Sequence, residues 1–487
     1  MNAPLERSTR DDAQTHRLAW ATWPADCATP VRLFLALRAR KHRACLLESV
    51  EGPARLARYS FVGVDPSAHL RGASYSDAEG ERVLAADSLS ALRAALAFRP
   101  VVATPRALPP FCGGWVGFFT FEWARALEPR VPCAASDPWQ LPDATFDLYE
   151  QILALDHAAQ RLYVIVRCPA AADFTRAQER IDALADDALG EPPESGALKL
   201  SGAFSACVER DEFLSGVREL RGAIAQGEIF QAVLSQRFEQ RFSGDPFTLY
   251  RVLRLTNPSP HMFFYETGDL TLIGSSPERL VSVRERRAEN RPIAGTRPRG
   301  VDASDDERLG AELRGDAKER AEHDMLVDLA RNDLGRVARI GTVRVAEHAV
   351  LERFARVQHL VSRVECTVAD GRDALDTLAA CFPAGTVSGA PKVRALELIA
   401  GIERQTRGPY AGCFGYVDGA GSLDMALVIR SFVVRGSRLS VQAGAGIVFD
   451  SDPEREYQET LSKASALFEA AQLADSPAFR ADEEPPR

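Results

Sequence analysis

The carboxylate of Glu322 is predicted to need either a metal ion or a positively charged partner. Residues 315–335, GDAKERAEHDMLVDLARNDLG, predict a helix with Asp316 as its N-cap. Helical spacing places Glu322 on the same face as Leu326 and Leu329, which predicts a buried environment. Because burying an unpaired carboxylate is costly, this side chain needs an Arg or Lys partner, the commoner solution, or a cation.

A second set of carboxylates lies in residues 449–468, FDSDPEREYQETLSKASALF. Ser451 is the predicted cap of a helix in which Glu456, Glu459 and Lys463 share one stripe. Such a stripe is more often a solvated face with an internal Glu459–Lys463 ion pair. If it meets another carboxylate, the pair suits Mg²⁺, which prefers oxygen ligands.

Three features are suited to bind an anion. In residues 382–399, FPAGTVSGAPKVRALELI, small residues lead into a predicted helix whose first amides are exposed donors. A similar turn, Gly444-Ala445-Gly446, precedes the Glu456/Glu459 helix. Arg430 lies in the apolar, strand-like run LDMALVIRSFVV and needs either a substrate carboxylate or an internal Asp or Glu. Ordinary capped turns remain the alternative for both loops.

The elements that carry other polar residues are also predictable. A helix capped by Asp211 precedes a strand over residues 229–238. The two-residue period of a strand directs Gln231 towards a pocket and Phe230 towards the core. His359, in the strand-like run VQHLVSRV, is more often a core histidine than a catalyst.

Length and composition predict a globular α+β protein. The chain has 487 residues, of which 46% are hydrophobic, enough for two domains or one large body. The polar stretch GEPPESGALKLSG is the best internal boundary, which separates an N-terminal region, 1–190, from a second part, 203–474. Residues 475–487 predict a disordered tail.

The net charge and the spacing of the cysteines limit the classes of protein to which the chain can belong. A net charge of −9 argues against a nucleic-acid or anionic-membrane surface, which needs clustered Lys and Arg. No signal-peptide pattern and no long apolar run is present, so a cytoplasmic location is expected. The nine cysteines include no C-x-x-C pair, which favours reduced thiols.

Taken together, the motifs resemble the chorismate-utilising enzymes, which include anthranilate synthase component I, aminodeoxychorismate synthase component I, and isochorismate and salicylate synthases. The resemblance runs from about residue 30 to 470. It is carried by GSSPERL, PIAGTRPRG, KERAEHDMLVDLARNDLGR, VQHL, FPAGTVSGAPK, GPYAGCFGY, VIRSF, QAGAGIV and PEREYQET. It implies large antiparallel β-sheets that form a sandwich with a central cleft, surrounded by helices.

The resemblance also assigns metal and substrate ligands. It implies that Glu322 and Glu459 bind Mg²⁺ directly, and that Glu319 and Glu456 reach the ion through water. The residues that it assigns to the two carboxylates of chorismate are Gly444, Ala445, Gly446 and Lys463 for the ring carboxylate, and Tyr410 and Arg430 for the enolpyruvyl carboxylate.

The catalytic residues come from the same resemblance. Glu278 is similar to the family's general acid, which protonates the C4 hydroxyl as ammonia attacks C2, and such an acid needs a raised pKa. His359 and Thr386 resemble residues beside the pyruvyl group, and His359 is assigned to supporting pyruvate elimination.

Two positions distinguish among members of the family. Where isochorismate and salicylate synthases carry a Lys that activates water, this chain has Gln231, which is not a base. Where aminodeoxychorismate synthases typically carry the Lys of PIKGT, it has Ala294. The resemblance therefore implies an Mg²⁺-dependent lyase of the oxo-acid-lyase type, which forms anthranilate and pyruvate in tryptophan biosynthesis. An aminodeoxychorismate or aminodeoxyisochorismate synthase and a non-catalytic tryptophan or chorismate sensor are the alternatives.

The first half of the chain resembles the segment that binds tryptophan as a feedback inhibitor. The residues implied are Leu47, Glu48, Ser49, Pro260, His261 and Met262. His261 departs from the family, which usually has Tyr there. No motif of a glutamine amidotransferase is found, so a separate small subunit is expected to supply ammonia, in a hetero-oligomer with two copies of each subunit.

Overall fold

The computed structural model of the protein describes residues 6–11, 16–50, 58–98, 108–169, 174–193, 196–354 and 357–479. Its strands fall into two large sheets. The strands of the first half are β1 (Glu6–Asp11), β2 (His16–Pro24), β3 (Ala44–Glu48), β4 (Tyr59–Val64), β5 (Ala68–Arg71), β6 (Ser74–Asp77), β7 (Gly80–Val83), β8 (Gly114–Phe119), β9 (Ala144–Tyr149), β10 (Gln151–Asp156), β11 (Arg161–Pro169) and β12 (Leu198–Ala206).

The second half supplies the remaining strands. These are β13 (Gln231–Gly244), β14 (His261–Thr267), β15 (Leu270–Ser276), β16 (Arg279–Arg284), β17 (Arg287–Asn290), β18 (Ile293–Pro298), β19 (Arg344–Arg353), β20 (Val357–Thr367), β21 (Gly389–Ala390), β22 (Cys413–Val417), β23 (Leu423–Leu427), β24 (Ser431–Arg435) and β25 (Arg438–Ile447).

The helices lie outside the sheets. They are α1 (Pro30–Ala39), α2 (Ser88–Phe98), α3 (Ala124–Leu127), α4 (Phe174–Leu189), α5 (Arg210–Ala225), α6 (Phe247–Thr256), α7 (Ala303–Gly315), α8 (Ala317–Gly335), α9 (Ala374–Cys381), α10 (Lys392–Glu403) and α11 (Pro453–Ala474). Among the described residues, no helix combines the length and apolar composition needed to cross a bilayer.

Both sheets mix strands from the two halves of the chain. The first runs β1-β2-β11-β10-β4-β3-β14-β15-β24-β25-β13-β12, with β21 beside β13. The second runs β18-β20-β17-β16-β23-β22-β8-β9-β5-β6-β7, with β19 beside β20. All of their ladders are antiparallel. Because β14 pairs with β3, and β22 with β8, the N-terminal region shares its hydrogen-bonded ladders with the rest of the chain.

A core between the two sheets makes the fold a sandwich. Val116 and Phe118 of β8 meet Phe263 and Tyr265 of β14, from the opposite sheet, in one buried cluster. Phe414 of β22 stacks on Phe263 with ring centroids 4.3 Å apart. Alternate side chains of each strand reach this layer, as the two-residue period requires. The predicted α+β sandwich of large antiparallel sheets with surrounding helices is therefore confirmed.

Helices α8 and α11 carry the predicted metal ligands, and an N-cap residue was predicted for each of them. The side chain of Asp316 accepts hydrogen bonds from the first turn of α8, as predicted. The predicted cap of α11 is wrong, because Asp452 accepts from the amide of Arg455, whereas the Ser451 hydroxyl accepts from the amide of Val448. Either side chain can cap a helix, so the residue types alone did not decide the register.

The predicted helix and strand around Gln231 are shifted. Helix α5 begins at Arg210 after Glu209, so Asp211 lies in its first turn and does not cap it. Strand β13 begins at Gln231 and continues to Gly244. Phe230, which was predicted to face the core, precedes the strand and is 72% exposed.

The structure describes the first residues of the predicted tail and all nine cysteines. Asp475 follows the last residue of α11, and Pro477–Phe479 forms a short 3-10 turn, whereas residues 480–487 of the predicted tail lie outside the described residues. The nine cysteines form no disulfide within the described ranges.

Candidate active site

A cavity of about 570 Å³ lies where α8, α11, β13, β18 and β25 approach one another. It is lined by most of the residues that the sequence analysis assigned to the metal and the substrate. Those residues are Gln231, Glu278, Ala294, Glu322, Thr386, Tyr410, Arg430, Gly444, Gly446, Glu456, Glu459 and Lys463. Residues separated by more than 200 positions in the sequence are thus brought to one site.

Three assigned residues lie behind the cavity wall. Ala445 is fully buried on the opposite face of β25 from Gly444 and Gly446, as the strand period requires. Glu319 accepts a hydrogen bond of 3.1 Å from Arg297, so an internal guanidinium already pairs with it. His359 is the third.

His359 is held by the strand that forms the adjacent wall. Its Nδ1 lies 3.0 Å from the carbonyl oxygen of Gly295 and 3.1 Å from Oγ1 of Thr296, both of which line the cavity. Since a carbonyl only accepts, Nδ1 carries the proton in this contact. His359 therefore supports the PIAGT strand from behind.

Glu278 is the best placed proton donor. It lies between β15 and β16 at the cavity wall, where Oγ1 of Thr386 donates a 2.8 Å hydrogen bond to its carboxylate. Burial raises the pKa of Glu278 to about 7, although the Thr386 hydrogen bond and the charge of Lys463 act in the opposite direction. A carboxyl with this pKa is protonated in a substantial fraction of molecules at neutral pH and is suited to general acid catalysis.

The carboxylates of α8 and α11 face the same cavity. Partial desolvation by the cavity walls raises the pKa of Glu322, and the charges of Glu319 and Glu459 add to this effect. Burial and the charge of Glu459 likewise raise the pKa of Glu456. The prediction that Glu322 lies on a buried helix face is wrong, because its side chain is exposed towards the open cavity.

The ammonium group of Lys463 offsets part of this negative charge. Nζ of Lys463 lies 2.7 Å from Glu459 and donates a 3.0 Å hydrogen bond to the carbonyl oxygen of Gly444. The ion pair expected from the helical stripe is therefore present. Within the described part of the chain, no three acidic, His or Cys side chains lie close enough together to hold a metal ion as they stand. The carboxylate oxygens of Glu322, Glu456 and Glu459 are nevertheless the type of ligand that a hard cation prefers. The charge of Glu459 raises the pKa of Glu322 and Glu456, and a bound cation would relieve this repulsion.

Arg430 is a guanidinium that has a backbone partner but no carboxylate partner among the described residues. It lies between β23 and β24, with φ of 51°, rather than within the predicted strand. Its Nη1 donates to the carbonyl oxygen of Lys463 at 3.2 Å, and burial lowers its pKa. A buried cation without a carboxylate partner is suited to bind an anionic ligand. Tyr410, whose pKa is raised to about 12 by burial, lines the cavity beside it.

Arg407, which was not predicted from the sequence, binds the backbone of two residues of the cavity wall. Its side chain is 1% exposed and pairs with Glu403. It also donates to the carbonyl oxygens of Val387 at 2.8 Å and Val233 at 2.7 Å. Both acceptors are cavity residues, and Tyr410 follows three positions later in the chain. The four-residue spacing of Glu403 and Arg407 was the available signal, but such pairs are common on exposed helices.

Replacing Arg407 by Met should lower the free energy of unfolding by about 3–5 kcal/mol, because the buried Glu403 loses its counter-ion. Urea denaturation would measure the change. As a control, Arg394→Met on the helix that carries Glu403 removes the ion pairs of a 43%-exposed side chain with Glu397 and Glu228, and should cost less than about 1 kcal/mol. Equal effects of the two substitutions would contradict the structural role of Arg407.

A second cavity, of about 350 Å³, contains all six residues assigned to the inhibitor. Leu47, Glu48, Ser49, Pro260, His261 and Met262 line it. The buried Glu48 carboxylate accepts hydrogen bonds from Tyr250 and, at 2.9 Å, from Arg254. Oγ of Ser49 is buried and has no hydrogen-bond partner among the described residues. Burial and the nearby charge of Arg279 lower the pKa of His261 to about 4, so this histidine is neutral at pH 7.

Comparison with known proteins agrees with the geometry. The family model for chorismate binding enzymes matches residues 42–469. Anthranilate synthase component 1 of Thermus thermophilus is 44% identical over 461 residues, which cover 93% of this chain and 98% of that relative. The crystal structure of anthranilate synthase component I from Streptococcus pneumoniae TIGR4 has a TM-score of 0.77 at 35% identity and covers 85% of this chain and 92% of its own.

A more distant structure shares the fold. The menaquinone-specific isochorismate synthase of Escherichia coli has a TM-score of 0.71 at 20% identity, with 96% of each chain covered. The same architecture thus accommodates a different sequence. The match to the family model and the high coverage of the relatives together establish that the chain belongs to the family of chorismate-binding enzymes.

Proposed function

We propose that the chain is the large subunit of an anthranilate synthase, which converts chorismate and ammonia to anthranilate and pyruvate. The observation that carries this proposal is one cavity that combines the Glu278 carboxyl, whose pKa is about 7, with the Arg430 guanidinium and the glutamates of two helices. A dicarboxylate that loses a hydroxyl group needs an acid for the leaving group and cations for the carboxylates. The names of the relatives support the same reaction.

The cavity offers separate positions for the two carboxylates of chorismate. Arg430 and Tyr410 are proposed to bind the enolpyruvyl carboxylate by charge-assisted hydrogen bonds. The ring carboxylate is proposed to lie against the backbone of Gly444 to Gly446, with Lys463 beside it. Holding the substrate at two ends fixes the ring relative to Glu278, which is a large part of the catalytic benefit.

Proton transfer completes the first step. Glu278 donates its proton to the C4 hydroxyl, which leaves as water while ammonia forms a bond to C2. Loss of pyruvate together with a ring proton then gives the aromatic product. His359 lies behind the adjacent wall and is proposed to support this elimination by fixing Gly295 and Thr296.

The polar groups near the reacting ring favour ammonia over water. Gln231 lines the cavity where a water-activating base would be needed, and an amide is no base. Ala294 offers no amine for a covalent intermediate. Both positions support amination at C2 with release of anthranilate.

Magnesium is proposed as the cofactor. Glu322 and Glu459 would hold the ion directly, and Glu319 and Glu456 would reach it through water. When bound, the cation would supply positive charge beside the ring carboxylate. In this arrangement, Glu319 must separate from Arg297 and Glu459 from Lys463, or each carboxylate must contact both its basic partner and the ion.

Ammonia is proposed to come from a separate glutamine amidotransferase subunit, in a cytoplasmic complex with two copies of each chain. This is testable with the purified large chain alone. An ammonium salt should support turnover of chorismate, and glutamine at the same concentration should not. Equal rates with glutamine would overturn the assignment of glutamine hydrolysis to a partner.

The second cavity is proposed to bind tryptophan as a feedback inhibitor. Glu48 is an anion suited to the ligand ammonium group, and the Ser49 hydroxyl is a buried group in need of a partner. Glu48→Gln and Ser49→Ala should each weaken tryptophan binding by about 10-fold, which corresponds to one lost hydrogen bond to a charged group. The check is the ratio of inhibited to uninhibited rate across a tryptophan titration. Unchanged titration curves for both variants would place the inhibitor elsewhere.

A further inference from the structure

Two consecutive residues face the two cavities. Glu278 lines the proposed active site, and Arg279 lines the proposed inhibitor site. Successive side chains of an extended segment point in opposite directions, so a single peptide unit separates the two cavities here. The two side chains therefore share one short stretch of backbone between the cavities.

Arg279 is clamped by two acidic residues of neighbouring strands. Its Nε and Nη2 donate to Asp424 of β23 at 2.9 and 3.1 Å, and its Nη1 donates to Glu289 of β17 at 3.2 Å. All three residues line the inhibitor cavity. Since a guanidinium has five N–H donors, the clamp uses three and leaves two for a ligand in the cavity.

The backbone around Arg279 connects the clamp to the active site. The amide of Leu427 donates to the carbonyl oxygen of Glu278 at 3.0 Å. The register of β16 against β23 shifts between Arg279 and Val281. Such an irregularity re-aims the side chains beside it, and here it lies next to Glu278.

A second connection runs along β23. Asp424 faces the inhibitor cavity near the start of this strand, and Arg430 faces the active site three residues after its end. The clamp thus joins a segment that carries the proposed acid to a segment that carries the proposed carboxylate ligand.

We propose that Arg279 is a positioning residue for the Glu278 carboxyl, and that a carboxylate-bearing amino acid in the inhibitor cavity slows catalysis by drawing the Arg279 guanidinium away from Asp424. The proposal rests on the proposed function, since it needs both the reaction and the inhibitor. It deepens that function by naming the contact through which the cavities communicate. Because this contact acts on the position of the acid and not on the proposed carboxylate ligands, the inhibitor should lower kcat more than it raises KM for chorismate.

Asp424→Asn tests the coupling, because the amide keeps the shape of the side chain but loses the charge that holds Arg279. The measurements are kcat, KM for chorismate, the dissociation constant of tryptophan by calorimetry, and the inhibition reached at saturating tryptophan. We expect kcat to fall about 10-fold with KM changed less than 2-fold, and maximal inhibition to fall to less than half of its wild-type extent. Arg279→Lys, which keeps the charge, should recover part of kcat relative to Arg279→Met.

Asp373→Asn is the matched control. Arg93 contacts Asp373 through Nε and Nη2 at 2.9 and 3.2 Å, the same two-point geometry as the Arg279–Asp424 pair, and neither residue lines the proposed active site or the proposed inhibitor site. Asn also preserves the cap of α9. This variant should show wild-type kcat and wild-type maximal inhibition.

Saturation is judged from the calorimetric dissociation constant, so that lost affinity is not mistaken for lost coupling. Wild-type maximal inhibition in Asp424→Asn would overturn the proposal whatever its kcat. If that variant does not fold, as judged by circular dichroism, Glu289→Gln takes its place with the same criterion. Failure of the wild-type chain to form product, or to bind tryptophan, would instead refute the proposed function.

Discussion

Glu278→Gln should lower kcat by about 10³-fold, within the range that general acid catalysis supplies. Gln has nearly the same shape and retains a group that can meet Thr386, but its amide is not an acid. The dissociation constant of chorismate should therefore change little, because the proposed carboxylate ligands remain. Stopped assays of product together with calorimetry of chorismate binding would separate the two effects.

The pH dependence provides a second check on Glu278. Its pKa of about 7 in the free protein predicts that kcat/KM is highest below this value, where the carboxyl is protonated, and falls as pH rises through it. Thr386→Val removes a hydrogen bond that stabilises the carboxylate, so the descending limb should move to higher pH. A Glu278→Gln profile that keeps the same limb would show that another group carries the proton.

Glu322→Gln and Glu459→Gln should each reduce turnover by about 10³-fold, since a bound cation supplies several kcal/mol of charge stabilisation. Each variant should also bind Mn²⁺, used as a spectroscopic probe, more weakly than the wild-type chain does. This readout does not depend on catalysis. The fold should be preserved because both side chains line the open cavity and do not belong to the core.

Glu454→Gln is the control for the metal ligands. Glu454 lies on the same helix as Glu459, but its carboxylate pairs with Arg210 outside the cavity. It should keep wild-type turnover and Mn²⁺ binding. Substantial activity of Glu322→Gln or Glu459→Gln at saturating Mg²⁺ would contradict their assignment as ligands.

The local signals in the sequence predicted the parts of the site that depend on short-range physics. The side chain of Asp316 caps α8 because it precedes the first free amides of that helix. Glu459 and Lys463 pair because four residues complete about one helical turn. These relations are set within a few residues, so a single chain is sufficient to predict them.

Errors arose where the environment is set by distant parts of the chain. Phe230 was assigned to the core from its strand period, but β13 begins one residue later and leaves it exposed. Glu322 shares a helix face with Leu326, yet that face opens onto the cavity between elements far apart in sequence. The contacts of Arg407 with Val233 and Val387 depend on the assembled sheets, which neither spacing nor composition reveals.

The most direct test of the proposed function is identification of the products formed by the purified chain from chorismate, Mg²⁺ and an ammonium salt. Fluorescence would detect anthranilate, and mass spectrometry would identify all ring products and pyruvate. The proposed chemistry predicts anthranilate and pyruvate in equal amounts, with both suppressed by tryptophan. An aminated ring that still carries its pyruvyl group, or no conversion of chorismate, would contradict it.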